Sequence, residues 1–251
     1  MTALVATELL KIRTLRLSRA VVGLAVVLAG LVCYAAVSVA TGTGDGDLTA
    51  ADVDLAFLVR APAEGVWFLA ILVAVVASAG DWQHRTVRAT YLAEPRRSRV
   101  VAAKLAASAL SGLVVAAAST ATSLVAGSVL LHREGLPVGL GDVATWRAAA
   151  AVAGLTALWA VVATGLGTLA GNTTVAIVAL LMWRFVGEGV LPVVSDVDPR
   201  WLPSGAAQAV LQGGTGRPDL LEPPAGAGML AAYAAVVTVL GVAVLLRREA
   251  P

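Results

Sequence analysis

Six apolar stretches that carry few charges divide the chain, at about 20–41, 62–80, 105–131, 147–170, 173–194 and 226–246. Each approaches or exceeds the roughly 20 residues that a helix needs to cross a hydrocarbon layer about 30 Å thick. All ten prolines (62, 95, 137, 192, 199, 203, 218, 223, 224 and 251) fall between these stretches or at their ends. A missing N–H costs least there, so proline placement and hydropathy set the same boundaries. Ahead of the first stretch, residues 2–18 follow a helical period, with Thr7, Lys11, Thr14 and Ser18 on one stripe and Val5, Leu9 and Ile12 opposite. Arg13 and Arg16 flank the apolar side, where long basic side chains can snorkel, which suits a helix lying on a membrane face. The predicted fold is an all-α integral membrane protein. An amphipathic elbow helix at 1–19 precedes a six-helix transmembrane domain at 20–251.

The basic residues orient this fold. Twelve of the 18 flank the termini and the 81–104 connection. The other six, Arg60, Arg133, Arg147, Arg184, Arg200 and Arg217, fall on the opposite side. The positive-inside rule puts the richer side in the cytoplasm, so both termini are expected there, with 81–104 a cytoplasmic loop and 195–225 an outer one.

Composition agrees. Apolar residues make up 59% of the 251 positions and charged residues 14%, against roughly 45–50% and 25% in soluble domains. The net charge of +2 sits in membrane-flanking loops and implies no nucleic-acid partner. Arginine far outnumbers lysine and alanine and valine fill the spans, a bias of GC-rich bacterial genes, so the expected location is a bacterial plasma membrane. Ser38-Val39-Ala40 has the small residues of a signal-peptide cleavage site, but its apolar stretch outruns the roughly 7–15 residues of a signal core, so an uncleaved span is expected.

Catalytic chemistry is sparse. No GxxxxGK[ST] phosphate loop or HExxH occurs, the single cysteine Cys33 lies in a span, and His84 and His132 are far apart, so no metal site or catalytic residue is assigned. Gly42-Thr43-Gly44-Asp45 matches an intramembrane aspartyl protease motif in letters only, since it lies in an outer loop with no second aspartate in a span. Asp45, Asp47, Asp52 and Asp54 lack EF-hand spacing and read as loop solvation. Small residues recur on one helical face at Ser108, Gly112, Ala116 and Thr120, and Gly167 to Gly171 forms a GxxxG, spacings that let helices approach closely.

One charged pair stands inside a span. Arg184 and Glu188 are spaced i, i+4 and share a face of the fifth helix. A lone charge at mid-membrane costs on the order of 2.5–3.5 kcal/mol, so the two are expected to pair and face the bundle. Gly187, Gly189 and Pro192 predict a helix that ends early in a re-entrant turn and carries the pair to an outer gate; the alternative is a pair snorkelling to outer headgroups.

The longest cytoplasmic connection, DWQHRTVRATYLAEPRRSRVVAAK at 81–104, resembles the ABC-2 type transporter permease family. Members carry an acidic residue closing the second span, a Gly-Thr, a short helix, a proline with basic residues, and a lysine opening the third span. Asp81, Thr86, Leu92, Pro95, Arg97, Arg99 and Lys104 stand at those places, with Arg85 where the glycine is usual. ELLKIRTLRLSR at 8–19 is similar to the family's N-terminal elbow, and WLPSGAAQAVL at 201–211 to its outer segment before the last span. The resemblance covers most of the chain. It implies that two permease subunits pair, as homodimer or heterodimer, and that each meets a separate ATP-binding subunit, which holds ATP and magnesium; this chain has no cofactor and is not itself an enzyme. The implied contact is Asp81, His84, Arg85, Thr86, Arg88, Tyr91, Arg96, Arg97 and Arg99, with Val87 and Tyr91 on one face of a short amphipathic turn. Anionic lipid headgroups are the alternative partner for this basic loop. A substrate of hydrophobic or amphiphilic character fits the alanine, valine and leucine walls. Other readings are an ion- or proton-coupled carrier built from three-plus-three inverted spans, a non-transporting membrane partner or immunity protein, and an intramembrane enzyme, whose residues are lacking.

Overall fold

The computed structural model describes residues 2–42, 48–83, 96–213 and 219–247, and among these there is no strand. A first helix, α1 (Thr2–Thr14), is separated from α2 (Arg16–Thr41) by Leu15, whose extended backbone (φ −63°, ψ 125°) breaks the helical run. A short helix α3 (Leu55–Arg60) follows, capped by Asp54, which accepts a hydrogen bond from the Phe57 N–H at 2.5 Å. Then come α4 (Ala63–Gln83), α5 (Arg97–Arg133) and α6 (Val143–Ala170). The fifth apolar stretch forms α7 (Thr173–Met182), a π-helical turn (Trp183–Gly187) and α8 (Glu188–Val194). A 3-10 turn (Pro199–Trp201) leads into α9 (Pro203–Leu211), and α10 (Pro223–Arg247) completes the bundle.

Six helical runs among the described residues are long and apolar enough to cross a membrane, one for each predicted stretch. The chain is therefore an all-helical protein suited to multiple membrane passes. α5 begins eight residues before the predicted start of its span, and its 37 residues rise about 55 Å at roughly 1.5 Å per residue, well beyond a 30 Å hydrocarbon layer. A helix of that length cannot lie wholly within such a layer along its normal.

The centre of the bundle is α4, α5 and α6. Of the apolar window of the second span, 61% is buried inside the chain, against none of that of the fifth. Consequently Val175, Val178 and Met182 of α7 face outward, as do Leu24, Leu31 and Tyr34 of α2. The small-residue face of α5 meets α6: Ser108 and Ala116 are buried, and a Cβ on Gly112 would lie 2.9 Å from the Thr156 carbonyl oxygen. The Ser108 and Thr164 hydroxyls lie 2.6 Å apart across the same seam. Thr120, the fourth position of that face, is half-buried. The two glycines of the GxxxG do different work. Gly167 packs against Ser78 of α4, whereas Gly171 takes a left-handed conformation (φ 65°) that ends α6. Asn172 then caps α7 by accepting the Val175 N–H at 3.1 Å, so a Gly-Asn pair suffices to reverse the chain.

The fifth stretch departs from expectation. No re-entrant turn occurs: the backbone stays helical from Thr173 to Val194, and the irregularity is the π-helical turn at Trp183–Gly187. Pro192 sits five residues into the segment that follows, where its missing N–H falls near the turn already loosened by the π geometry. A Cβ at Gly187 would come within 2.9 Å of the Trp183 ring, so the glycine lets the indole lie along the helix.

Candidate functional site

Charged side chains gather at the two ends of α4. Asp81 lies in its last turn and Glu64 in its first, 17 residues or about 26 Å apart along the axis, close to the thickness of a hydrocarbon layer.

At the Asp81 end, four side chains from three helices form one network. Lys104 of α5 makes a close ion pair with Asp81 and reaches Glu8 of α1 at 3.4 Å. Lys11 of α1 lies 2.7 Å from Glu8 and 3.5 Å from Asp81. Among the described residues the Lys11 and Lys104 ammoniums both reach Glu8, which sits almost fully buried in the apolar stripe of α1 beside Ile12. Burial works against the Lys11 ammonium, but its hydrogen bond to Glu8 and the charges of Asp81 and Glu8 outweigh it and hold its pKa above the usual 10.5. Thr7 and Thr14 face out, as the helical wheel requires.

This network brackets the 81–104 connection. Asp81 lies in the last turn of α4, Arg96 precedes α5, and Arg97 and Arg99 belong to its first turn, so helix runs inward from both ends of the stretch. Arg96 and Arg99 are exposed. His84, Arg85, Thr86, Arg88 and Tyr91 lie outside the described residues. Sequence reasoning singled out Asp81 and Lys104 separately; it missed Glu8 as their partner because 96 positions separate Glu8 from Lys104. The available signal was an acid placed on the apolar side of an amphipathic helix.

At the opposite end, Arg184 lies 3.7 Å from Glu188 and 3.6 Å from Glu64, too far for a hydrogen bond to either. Glu188 is held by other groups. Its Oε1 accepts the Ser204 N–H at 3.2 Å and the Trp183 indole N–H at 3.2 Å, and its Oε2 accepts the Ser204 hydroxyl. Ser204 stands in the first turn of α9, whose residue at the cap position, Leu202, has no side-chain acceptor. Glu188 thus supplies the missing cap from a neighbouring helix, where a carboxylate also meets the positive end of the helix dipole. Glu64 accepts from the Gln208 amide at 2.6 Å, which ties α9 to α4.

These charges border a cavity of about 280 Å³ whose walls are chiefly aromatic and aliphatic. Trp67 and Trp159 stack there with ring centroids 6.4 Å apart, and both indole N–H groups are buried with no hydrogen-bond partner among the described residues. Phe68, Trp183 and Phe185 add further rings. Sequence reasoning found Arg184 and Glu188 but not Glu64, Ser204 or Gln208, which come from other helices. No group of histidine, cysteine and acidic residues suited to a metal occurs among the described residues.

No protein-family model matches the chain, and no curated protein matches it.

Proposed function

We propose that this chain is the permease subunit of an ABC exporter of the ABC-2 type in a bacterial plasma membrane. A separate subunit binds and hydrolyses ATP on the cytoplasmic side, and this chain supplies the pathway for a hydrophobic or amphiphilic substrate. The sequence support is the order of the elbow, the 81–104 stretch and the 201–211 stretch around six spans. The observation that carries the reading is the charge network of Glu8, Lys11, Asp81 and Lys104. It ties both ends of the proposed coupling loop to the N-terminal helix, so a push on that loop by a partner would move α1, α4 and α5 together. A loop serving only to connect two spans needs no such brace. On this reading α1 is the interfacial elbow, both termini are cytoplasmic, and the outward apolar faces of α2 and α7 meet lipid and a second permease subunit.

The test is ATP hydrolysis by the complex affinity-purified through this chain from membranes of its own host in mild detergent. A co-purifying subunit with a phosphate loop and vanadate-sensitive hydrolysis is the expected result. A well-folded chain that purifies without any such subunit contradicts the reading.

A further inference from the structure

The cavity at the Glu64 end of α4 combines two features that select for charge. Its border carries two carboxylate side chains, Glu64 and Glu188, and one guanidinium, Arg184, so acidic groups outnumber basic ones along that border. Within that set the groups are unequal. The Glu188 carboxylate is occupied by the Ser204 N–H and hydroxyl and by the Trp183 indole. Glu64 is 52% exposed at its side chain; its Oε1 accepts the Gln208 amide, and among the described residues its Oε2 faces the Arg184 guanidinium 3.6 Å away. It is the carboxylate open to a ligand. The second feature is the aromatic wall of Trp67, Phe68, Trp159 and Trp183. The faces of such rings attract cations, the more so where water is excluded.

An anion entering the cavity would meet two carboxylates and an aromatic wall. A neutral molecule would find apolar walls but leave the acidic border uncompensated. A cation with an apolar body satisfies both. The volume of about 280 Å³ falls just below the roughly 300 to 1,000 Å³ of drug-sized ligand cavities and suits a body of one or two rings.

We propose that this cavity binds a lipophilic organic cation, a substituted ammonium on an aromatic or branched aliphatic body, with its charge facing Glu64 and its body against Trp67 and Trp159. As a statement about the transported substrate this rests on the exporter reading above; the binding itself requires no ATP-binding partner and is measured without one.

The experiment uses the purified full chain in dodecyl maltoside micelles, which carry no charge and no choline headgroup. Tryptophan fluorescence is followed during titration with phenyltrimethylammonium and, separately, with benzenesulfonate, a single-ring anion, each corrected against empty micelles. A saturable change with the cation alone is expected. Glu64→Gln should weaken cation binding by about tenfold, the value of one well-placed charge contact of roughly 1.4 kcal/mol. Arg184→Gln removes the competing cation and should tighten binding severalfold, an effect that structural damage would not produce. Saturable binding of benzenesulfonate with similar affinity overturns the proposal. So does a wild-type chain with no saturable response to the cation, or an Arg184→Gln chain that binds it no more tightly than wild type.

Discussion

Lys104 and Glu8 stand 96 positions apart in sequence, yet their side chains form an ion pair of 3.4 Å that fastens the N-terminal helix to the start of the third span. Both side chains are about nine-tenths buried, so neither charge is easily left without the other. Lys104→Met removes the ammonium that Glu8 and Asp81 share. It should lower stability by roughly 3–5 kcal/mol, the range for breaking a buried pair by removing one partner. Asp81→Asn combined with Lys104→Met restores a balanced Glu8–Lys11 pair and should recover much of that loss. Thermal unfolding in detergent measures both, and a double variant no more stable than Lys104→Met would show that charge balance is not what holds the network.

The same network has a defined pH response at Lys11. Its folded pKa is raised above 10.5, so its contribution is fully present below that value and is lost only as pH rises through the higher folded one. Stability scans of wild type and Lys11→Met should therefore differ by a constant amount from neutral pH to about pH 10 on the lysine's account. A gap that closes within that window would contradict the shift.

Glu188 should matter more to Ser204 than to Arg184. The Arg184 contact is long, at 3.7 Å, and that side chain is 40% exposed, so its coupling to Glu188 is expected below about 1 kcal/mol. Loss of the carboxylate from the α9 cap should cost about 1–2 kcal/mol. Double-mutant cycles with Glu188→Ala, Arg184→Ala and Ser204→Ala separate the two, and a larger Arg184 coupling would return the ion pair to the leading role that the sequence spacing proposed.

Gly112 and Gly154 make a matched comparison. A methyl at Gly112 would press on the Thr156 carbonyl oxygen at 2.9 Å, whereas one at Gly154 meets nothing within 4 Å. Gly112→Ala should destabilise by about 1–3 kcal/mol through overpacking of the α5–α6 seam. Gly154→Ala should gain up to about 1 kcal/mol from helix propensity. Equal effects in thermal unfolding would mean that the seam is not tight.

Hydropathy located the six long helical runs, because a span of about 20 apolar residues has few other uses, whereas the short helices α3 and α9 carry no such signal. The ends were less legible: α5 runs outward past Lys104 to Arg97, since a helix in water needs no apolar signal to continue. The Ser108 face could be read as a seam because small residues at helical spacing admit a neighbour. The fifth span was read as broken from Gly187, Gly189 and Pro192, but composition does not distinguish a re-entrant turn from a π-helical turn that keeps the chain helical. Of the charged groups, Arg184 and Glu188 were legible because a single helix brings them together. Glu8 with Lys104, and Glu64 with Arg184, depend on which helices pack side by side, and local periodicity carries no record of that.

Orientation is open to labelling. In a Cys33→Ala background, single cysteines at Gly46, Gly139 and Gly214 should react in intact cells with an impermeant thiol reagent, and one at Ala89 should not. Reaction at Ala89, or protection at all three other positions, would reverse the assignment of sides.

The most direct measurement is the amount of ATP-binding subunit recovered per chain from native membranes, for wild type and for the triple variant Arg88→Glu, Arg96→Glu and Arg97→Glu. A near-stoichiometric subunit with wild type, reduced at least severalfold by the triple variant while membrane insertion is unchanged, is the predicted result. Undiminished recovery with the triple variant, or no such subunit with wild type, would contradict a permease coupled to its motor through the 81–104 loop.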